Sequence, residues 1–269
     1  MRIPPAAQLF IACVEGIEVP IAFRSASDKE YGFQDWVRDR LVATGLRFQS
    51  SRRNSYPDLK LTDTPEGFEV KSLAHPGRNK TMDANSQPPG GFHDGREIHY
   101  VFGRYLRNPK TSLSGKVRDL VLYHGDLVDP ARDHAHKNLS FKTFGRYGDV
   151  MVRDRKMYVP KTAQGILSGL DDELTLVLPA STGELPGLSI LNTIVRREAG
   201  ELVLRYEFDF ASNSLTTETM PNPTAGREHT FNVYRPEGRK GPPVELRPPA
   251  EVDFDAFDDA DAQLDIDGV

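Results

Sequence analysis

The chain has 269 residues and one cysteine, Cys13. A single thiol closes no intramolecular disulfide, so the fold must be held by its core, as suits a reducing compartment. Cys13 has no histidine or basic residue beside it in sequence, and a buried apolar thiol is the expectation for such a position. Long apolar runs are also lacking, since no stretch approaches the ~18 consecutive apolar residues of a membrane span. Met1-Arg2-Ile3-Pro4-Pro5 does not have the charged-then-apolar layout of a signal peptide. These absences lead us to expect a cytoplasmic protein. There is no Gly-rich phosphate loop followed by Lys-Ser or Lys-Thr, which argues against ATP-driven translocation by this chain.

The composition is that of an ordinary globular protein, with 38% hydrophobic and 27% charged residues. The length is sufficient to bury a substantial core. The formal net charge of −5 is unevenly placed. Residues 250–269 hold eight acids and no Lys or Arg; taking those eight from the total of 39 leaves 31 acids against 34 cations, or +3 for residues 1–249. We therefore divide the chain into one body, 1–249, and an acidic tail, 250–269. The tail carries Phe254, Phe257, Leu264 and Ile266 among its acids. It reads as a disordered solubilising segment. A sharper reading makes it a DNA mimic that occupies a basic cleft until substrate displaces it. A body at +3 permits nucleic-acid binding without arguing for it, so the weight falls on sites.

Ser27-Asp28 has the character of an N-cap, Phe33, Val37 and Leu41 follow at helical spacing, and Gly45 is a stop, which predicts a helix over 28–44. Two short strands are predicted over 57–62 and 67–73, joined by Thr64-Pro65-Glu66-Gly67 as a type I turn. The segment 82–95 reads as an ordered polar loop. The apolar runs 98–102 and 119–123 have the length and character of buried central strands. Later strands are expected over 173–178 and 201–210.

The most informative stretch runs from Ser55 to Leu73 and reads Pro57-Asp58, ten residues, then Glu69-Val70-Lys71. Alternation along a strand puts Glu69 and Lys71 on one face and Phe68 and Val70 on the other. Folding the hairpin at Pro65-Glu66 is expected to bring Asp58 close to Lys71, and Lys60 close to Glu69. Two adjacent carboxylates repel one another. A divalent cation resolves the conflict, and Mg²⁺ takes a few carboxylate oxygens together with waters and substrate phosphate. Held by Asp58 and Glu69, Mg²⁺ would activate a water and neutralise phosphate charge, with Lys71 orienting that water or stabilising developing negative charge. The product would be a hydrolysed phosphodiester.

On these residues the sequence resembles the PD-(D/E)xK nuclease superfamily, to which many type II restriction endonucleases belong. Asp58, Glu69 and Lys71 match its three defining positions in order and spacing. The specific match covers residues 55–73, while the helix over 28–44 and the strands near 98–102 and 119–123 agree in order and type. The resemblance implies an α/β fold with a mixed central β-sheet flanked by helices (a restriction-endonuclease-like core), metal at the strand ends, and DNA as the usual substrate. Glu30 is a candidate for the accessory acid that some members supply from the first helix, although a solvated helix-face acid is the commoner role.

Arg78 and Lys80, just past the catalytic strand, are candidate phosphate contacts. Asn85, Ser86 and Gln87, followed by Arg96, are candidates for the groove, because Arg pairs with guanine and Asn or Gln with adenine. A polar loop whose side chains satisfy their own backbone is the alternative. A second basic stretch runs from Arg146 to Lys161, with Arg153, Arg155 and Lys156 against Asp149 and Asp154; it could track a phosphate backbone or lie in solvent. His134 and His136, beside Asp129 and Asp133, lack further ligands at a recognised zinc spacing and read as surface histidines. The expectation is thus a Mg²⁺-dependent endonuclease that cleaves double-stranded DNA at a specific sequence and acts as a homodimer, since one active site serves one strand. A structure-specific repair or resolvase-type nuclease and an inactive DNA-binding module are the alternatives.

Overall fold

A computed structural model describes residues 3–25, 31–51, 56–75, 82–83, 90–111, 113–130, 151–153, 156–159, 166–209 and 214–247. Helix α1, Pro5–Glu15, begins with proline at its first position, where a missing N–H costs nothing, and ends at Gly16. Helix α2, Tyr31–Ala43, buries Phe33, Trp36, Val37 and Leu41 along one side. Gly45 follows at φ +75°, a left-handed conformation that suits glycine and stops the helix. The predicted helix is therefore present from 31 onward, and its first residues, Glu30 included, lie outside the described residues.

The strands in chain order are β1 Ile21–Ala22, β2 Phe48–Ser50, β3 Leu59–Leu61, β4 Glu66–His75, β5 Met82–Asp83, β6 Phe92–His93, β7 Arg96–Arg107, β8 Ser114–His124, β9 Met151–Arg153 and β10 Lys156–Val159. They continue as β11 Leu167–Ser168, β12 Leu174–Pro179, β13 Leu188–Arg197, β14 Glu201–Asp209, β15 Ser214–Pro221, β16 Glu228–Pro236 and β17 Glu245–Leu246. The expected strands over 98–102, 119–123, 173–178 and 201–210 correspond to β7, β8, β12 and β14.

Ten strands form one mixed sheet ordered β13-β16-β12-β8-β7-β4-β3-β2, with β1 paired to β8 and β6 to β7. The pairs β4–β7 and β8–β12 are parallel, and β7–β8 and β3–β4 are antiparallel. This is an α/β arrangement built on a large mixed central sheet. Both helices lie on one face, where Leu9, Phe10, Phe33 and Trp36 pack against Phe68, Val70, Val101 and Leu122. Gly103 of β7 permits that approach, because a Cβ there would stand 2.2 Å from the Phe33 ring. The opposite face buries Tyr100, Phe102, Val121 and Tyr123 under Leu127, Val128, Ile166, Leu170 and Val244. Flanking helices were expected; among the described residues α1 and α2 lie on one face, and the other is covered by the 3₁₀ turn Gly125–Leu127 and by segments around Ile166, Leu170 and Val244.

Candidate functional site

The β3–β4 hairpin differs from the expected one in register. Leu59 pairs with Phe68 and Lys60 with Gly67, so the turn occupies 62–65 and strand β4 starts at Glu66. Asp58 is therefore opposite Glu69 and Lys60 opposite Gly67, with Lys71 two residues further along β4. The expected turn placed its corner two residues too late. A shift of two keeps every side chain on its face, whereas a shift of one would have sent Glu69 into the helix-covered core. Gly67 also accommodates Pro57, whose ring lies where a side chain would be, 2.5 Å from an added Cβ.

Beyond the last ladder pair, the two acids take over the role of the ladder. The Asp58 backbone N–H donates to Glu69 Oε2 at 3.2 Å, and the Val70 N–H donates to Asp58 Oδ2 at 2.8 Å. Each carboxylate is held by the segment opposite it. Lys71 closes the group with an ion pair from Nζ to Glu69 Oε1 at 2.7 Å. The Glu69 side chain is 10% exposed and that of Lys71 is 32% exposed, so the group opens toward solvent at its lysine end. Ser51 steadies the Asp58 segment from the edge, its N–H donating to Asp58 O at 2.7 Å and its hydroxyl to Pro57 O. The structure thus brings Asp58, Glu69 and Lys71 together. Among the described residues no group of three or more His, Cys, Asp or Glu could hold a metal ion. Two carboxylates are nonetheless a donor set that Mg²⁺ commonly accepts, with waters and phosphate completing its shell.

Three tyrosines adjoin this group, and pattern reading had not singled them out. Tyr100 is the register partner of Glu69 on β7, and Tyr123 that of Tyr100 on β8, so Glu69, Tyr100 and Tyr123 stand side by side on three neighbouring strands. Tyr100 and Tyr123 stack with centroids 5.2 Å apart and 11° between planes. The Tyr56 and Tyr100 hydroxyls bond at 2.5 Å, and Gly90 N–H donates to Tyr100 Oη at 3.1 Å. Burial first, and then neighbouring charge that includes the Glu69 carboxylate, pushes all three phenols above the ordinary tyrosine range. The available signal was Tyr100 and Tyr123 at alternate, core-facing positions of apolar strands, together with a tyrosine immediately before Pro57-Asp58.

Arg96 takes a position apart from this group. Its Nη1 donates to Leu61 O at 2.9 Å, with Thr64 O and Glu66 O at 3.5 and 3.4 Å, so it closes the hairpin turn. Arg78, Lys80, Asn85, Ser86 and Gln87 lie outside the described residues, as do His134, His136, Arg155 and the tail 250–269. Asp129 is described and buried. Cys13 is buried, and burial raises its thiol pKa, in line with an inert core position.

Two buried polar clusters escaped the sequence reading. Arg104 binds Asp119 through Nε at 2.9 and 3.0 Å and through Nη2, and also reaches Asp171. His124 bonds Glu97 at 2.8 Å and lies edge-on to the buried His99, centroids 4.9 Å apart. No described helix is long and apolar enough to cross a membrane. No family model matches the chain, and no curated protein matches it either.

Proposed function

We propose that the protein is a Mg²⁺-dependent endonuclease of the PD-(D/E)xK kind, with a restriction-endonuclease-like core, that cleaves double-stranded DNA at a specific sequence as a cytoplasmic homodimer. The observation that supports it is the meeting of Asp58, Glu69 and Lys71 in one group, each acid held by a backbone N–H of the segment opposite it. Asp58 and Glu69 would hold the cation, a hard oxygen donor pair of the type Mg²⁺ takes. When bound, Mg²⁺ supplies a more acidic water and neutralises charge on the phosphoryl group. Lys71 stands beside Glu69 at the more exposed end, where its ammonium orients the attacking water and stabilises negative charge developing on the phosphate. Hydrogen bonds that fix both acids before substrate arrives lower the reorganisation needed at the moment of reaction. One such site cuts one strand, and a two-fold dimer would cut both.

The test is incubation of supercoiled plasmid with wild type, Asp58→Ala and Lys71→Ala in Mg²⁺, with a chelator control. Discrete bands that vanish in both variants and with chelator are expected. Random smearing would move the reading to a structure-specific repair or resolvase-type nuclease. Absence of cleavage across many substrates, methylated and unmethylated, would overturn the enzyme reading in favour of a DNA-binding module.

A further inference from the structure

Asp58 lies outside strand β3, one residue before the ladder begins at Leu59. The Val70 N–H and Ser51 hold Asp58 directly, and a further tie fixes the segment that leads into it. Two residues upstream, the Tyr56 hydroxyl bonds that of Tyr100, and Tyr100 is the β7 residue in register with Glu69. The phenol pair thus ties the segment bearing one acid to the strand beside the other.

Each ring is locked by packing. Tyr100 stacks on Tyr123, while Tyr56 meets His93 edge-on at 4.9 Å and 80°. The Tyr100 hydroxyl is fixed a second time by the Gly90 N–H. Tyr100 is 3% exposed and Tyr56 is partly buried, which limits the water that competes for their bond. Neither phenol is a ligand in the donor set described above, yet both stand one step behind it.

We propose that Tyr56 and Tyr100 are positioning residues that hold Asp58 at its distance from Glu69 and so set the affinity of the site for a divalent cation. This rests on the metal-site reading above. Removing a group that orients a metal ligand from outside the ligand shell typically weakens metal binding on the order of 10–100-fold. A role in packing alone would change stability and leave cation affinity in place.

Cation binding can be measured on the full chain without DNA, with Mn²⁺ as the probe and the paramagnetic resonance signal of the free ion as the readout. Wild type, Asp58→Ala, Tyr56→Phe, Tyr100→Phe, the Tyr56→Phe/Tyr100→Phe double variant and Tyr123→Phe would be compared, each with its thermal melt. We expect Tyr56→Phe and Tyr100→Phe each to weaken binding about tenfold or more. The double variant should be no worse than the worse single, because the two hydroxyls act through one bond. Tyr123→Phe, which keeps the ring stack and lies outside the hydroxyl pair, should bind like wild type. Wild-type affinity in Tyr56→Phe and Tyr100→Phe would overturn the positioning role while leaving the nuclease reading standing. An equal loss in Tyr123→Phe would also overturn it, by making the effect one of general packing. A wild type that does not bind Mn²⁺, or binding indifferent to Asp58→Ala, would overturn both.

Discussion

Replacing Glu69 by glutamine removes a charge from the candidate site and almost no volume. The amide oxygen of Gln can still accept the Asp58 N–H now received at 3.2 Å, so the hairpin should keep its register. What is lost is the 2.7 Å ion pair with Lys71. Because the Lys71 side chain is about one-third exposed, solvent screens that pair, and its loss should cost no more than about 1 kcal/mol of stability. The three phenols lose a negative neighbour, so their ionisation moves to lower pH. It stays above the ordinary tyrosine range for Tyr56, Tyr100 and Tyr123, because burial is the larger cause of the shift. The cation loses one of its two carboxylates. Charge stabilisation by a bound metal is worth several kcal/mol in the transition state. At about 1.4 kcal/mol per factor of ten, cleavage should fall by roughly 10²–10³-fold or more. The assays are plasmid cleavage in Mg²⁺ and a thermal melt. Cleavage within tenfold of wild type would refute the ligand role of Glu69.

Two further outcomes follow from the buried clusters. Asp119 is fully buried and takes the Arg104 guanidinium as well as the Asp172 N–H at 3.2 Å. Asp119→Ala should therefore cost about 3 kcal/mol, the low end for breaking a buried pair, since Asp171 still meets Arg104. That corresponds to a fall of at least about 6 °C in Tm, and a calorimetric shift below about 2 °C would count against the reasoning. His99 is held well below the usual histidine range, by burial first and His124 second. Its contribution to stability is complete above the unfolded pKa of about 6.5 and is lost as pH falls from there toward the folded value, because only the unfolded chain takes up the proton. Urea midpoints measured downward from about pH 6.5 should fall less steeply for His99→Gln than for wild type; equal slopes would sink the prediction.

Much of the fold could be read from local pattern. Helix α2 followed from Phe33, Val37 and Leu41 at helical spacing and from the Gly45 stop, and β7 and β8 from apolar runs too long to leave exposed. The face shared by Glu69 and Lys71 followed from alternation alone. The hairpin register did not, because a turn containing Thr64, Pro65 and Gly67 can close in more than one frame, and strand pairing beyond it decides which frame holds. On the face opposite α1 and α2, the described residues place the 3₁₀ turn that holds Leu127 and segments around Ile166 and Val244.

What the sequence by itself determined is the chemistry on offer: Asp58, Glu69 and Lys71, their order, and the strand face of the last two. That much is local, because alternation depends only on the geometry of one extended chain. Tertiary structure decided which residues meet. Asp58 faces Glu69 because β3 and β4 pair as they do. Tyr100 stands beside Glu69 because a parallel strand from some thirty residues away lies alongside β4. Tyr56 reaches Tyr100 across 44 residues of chain. Such contacts depend on sheet order and register, which no short window of sequence contains.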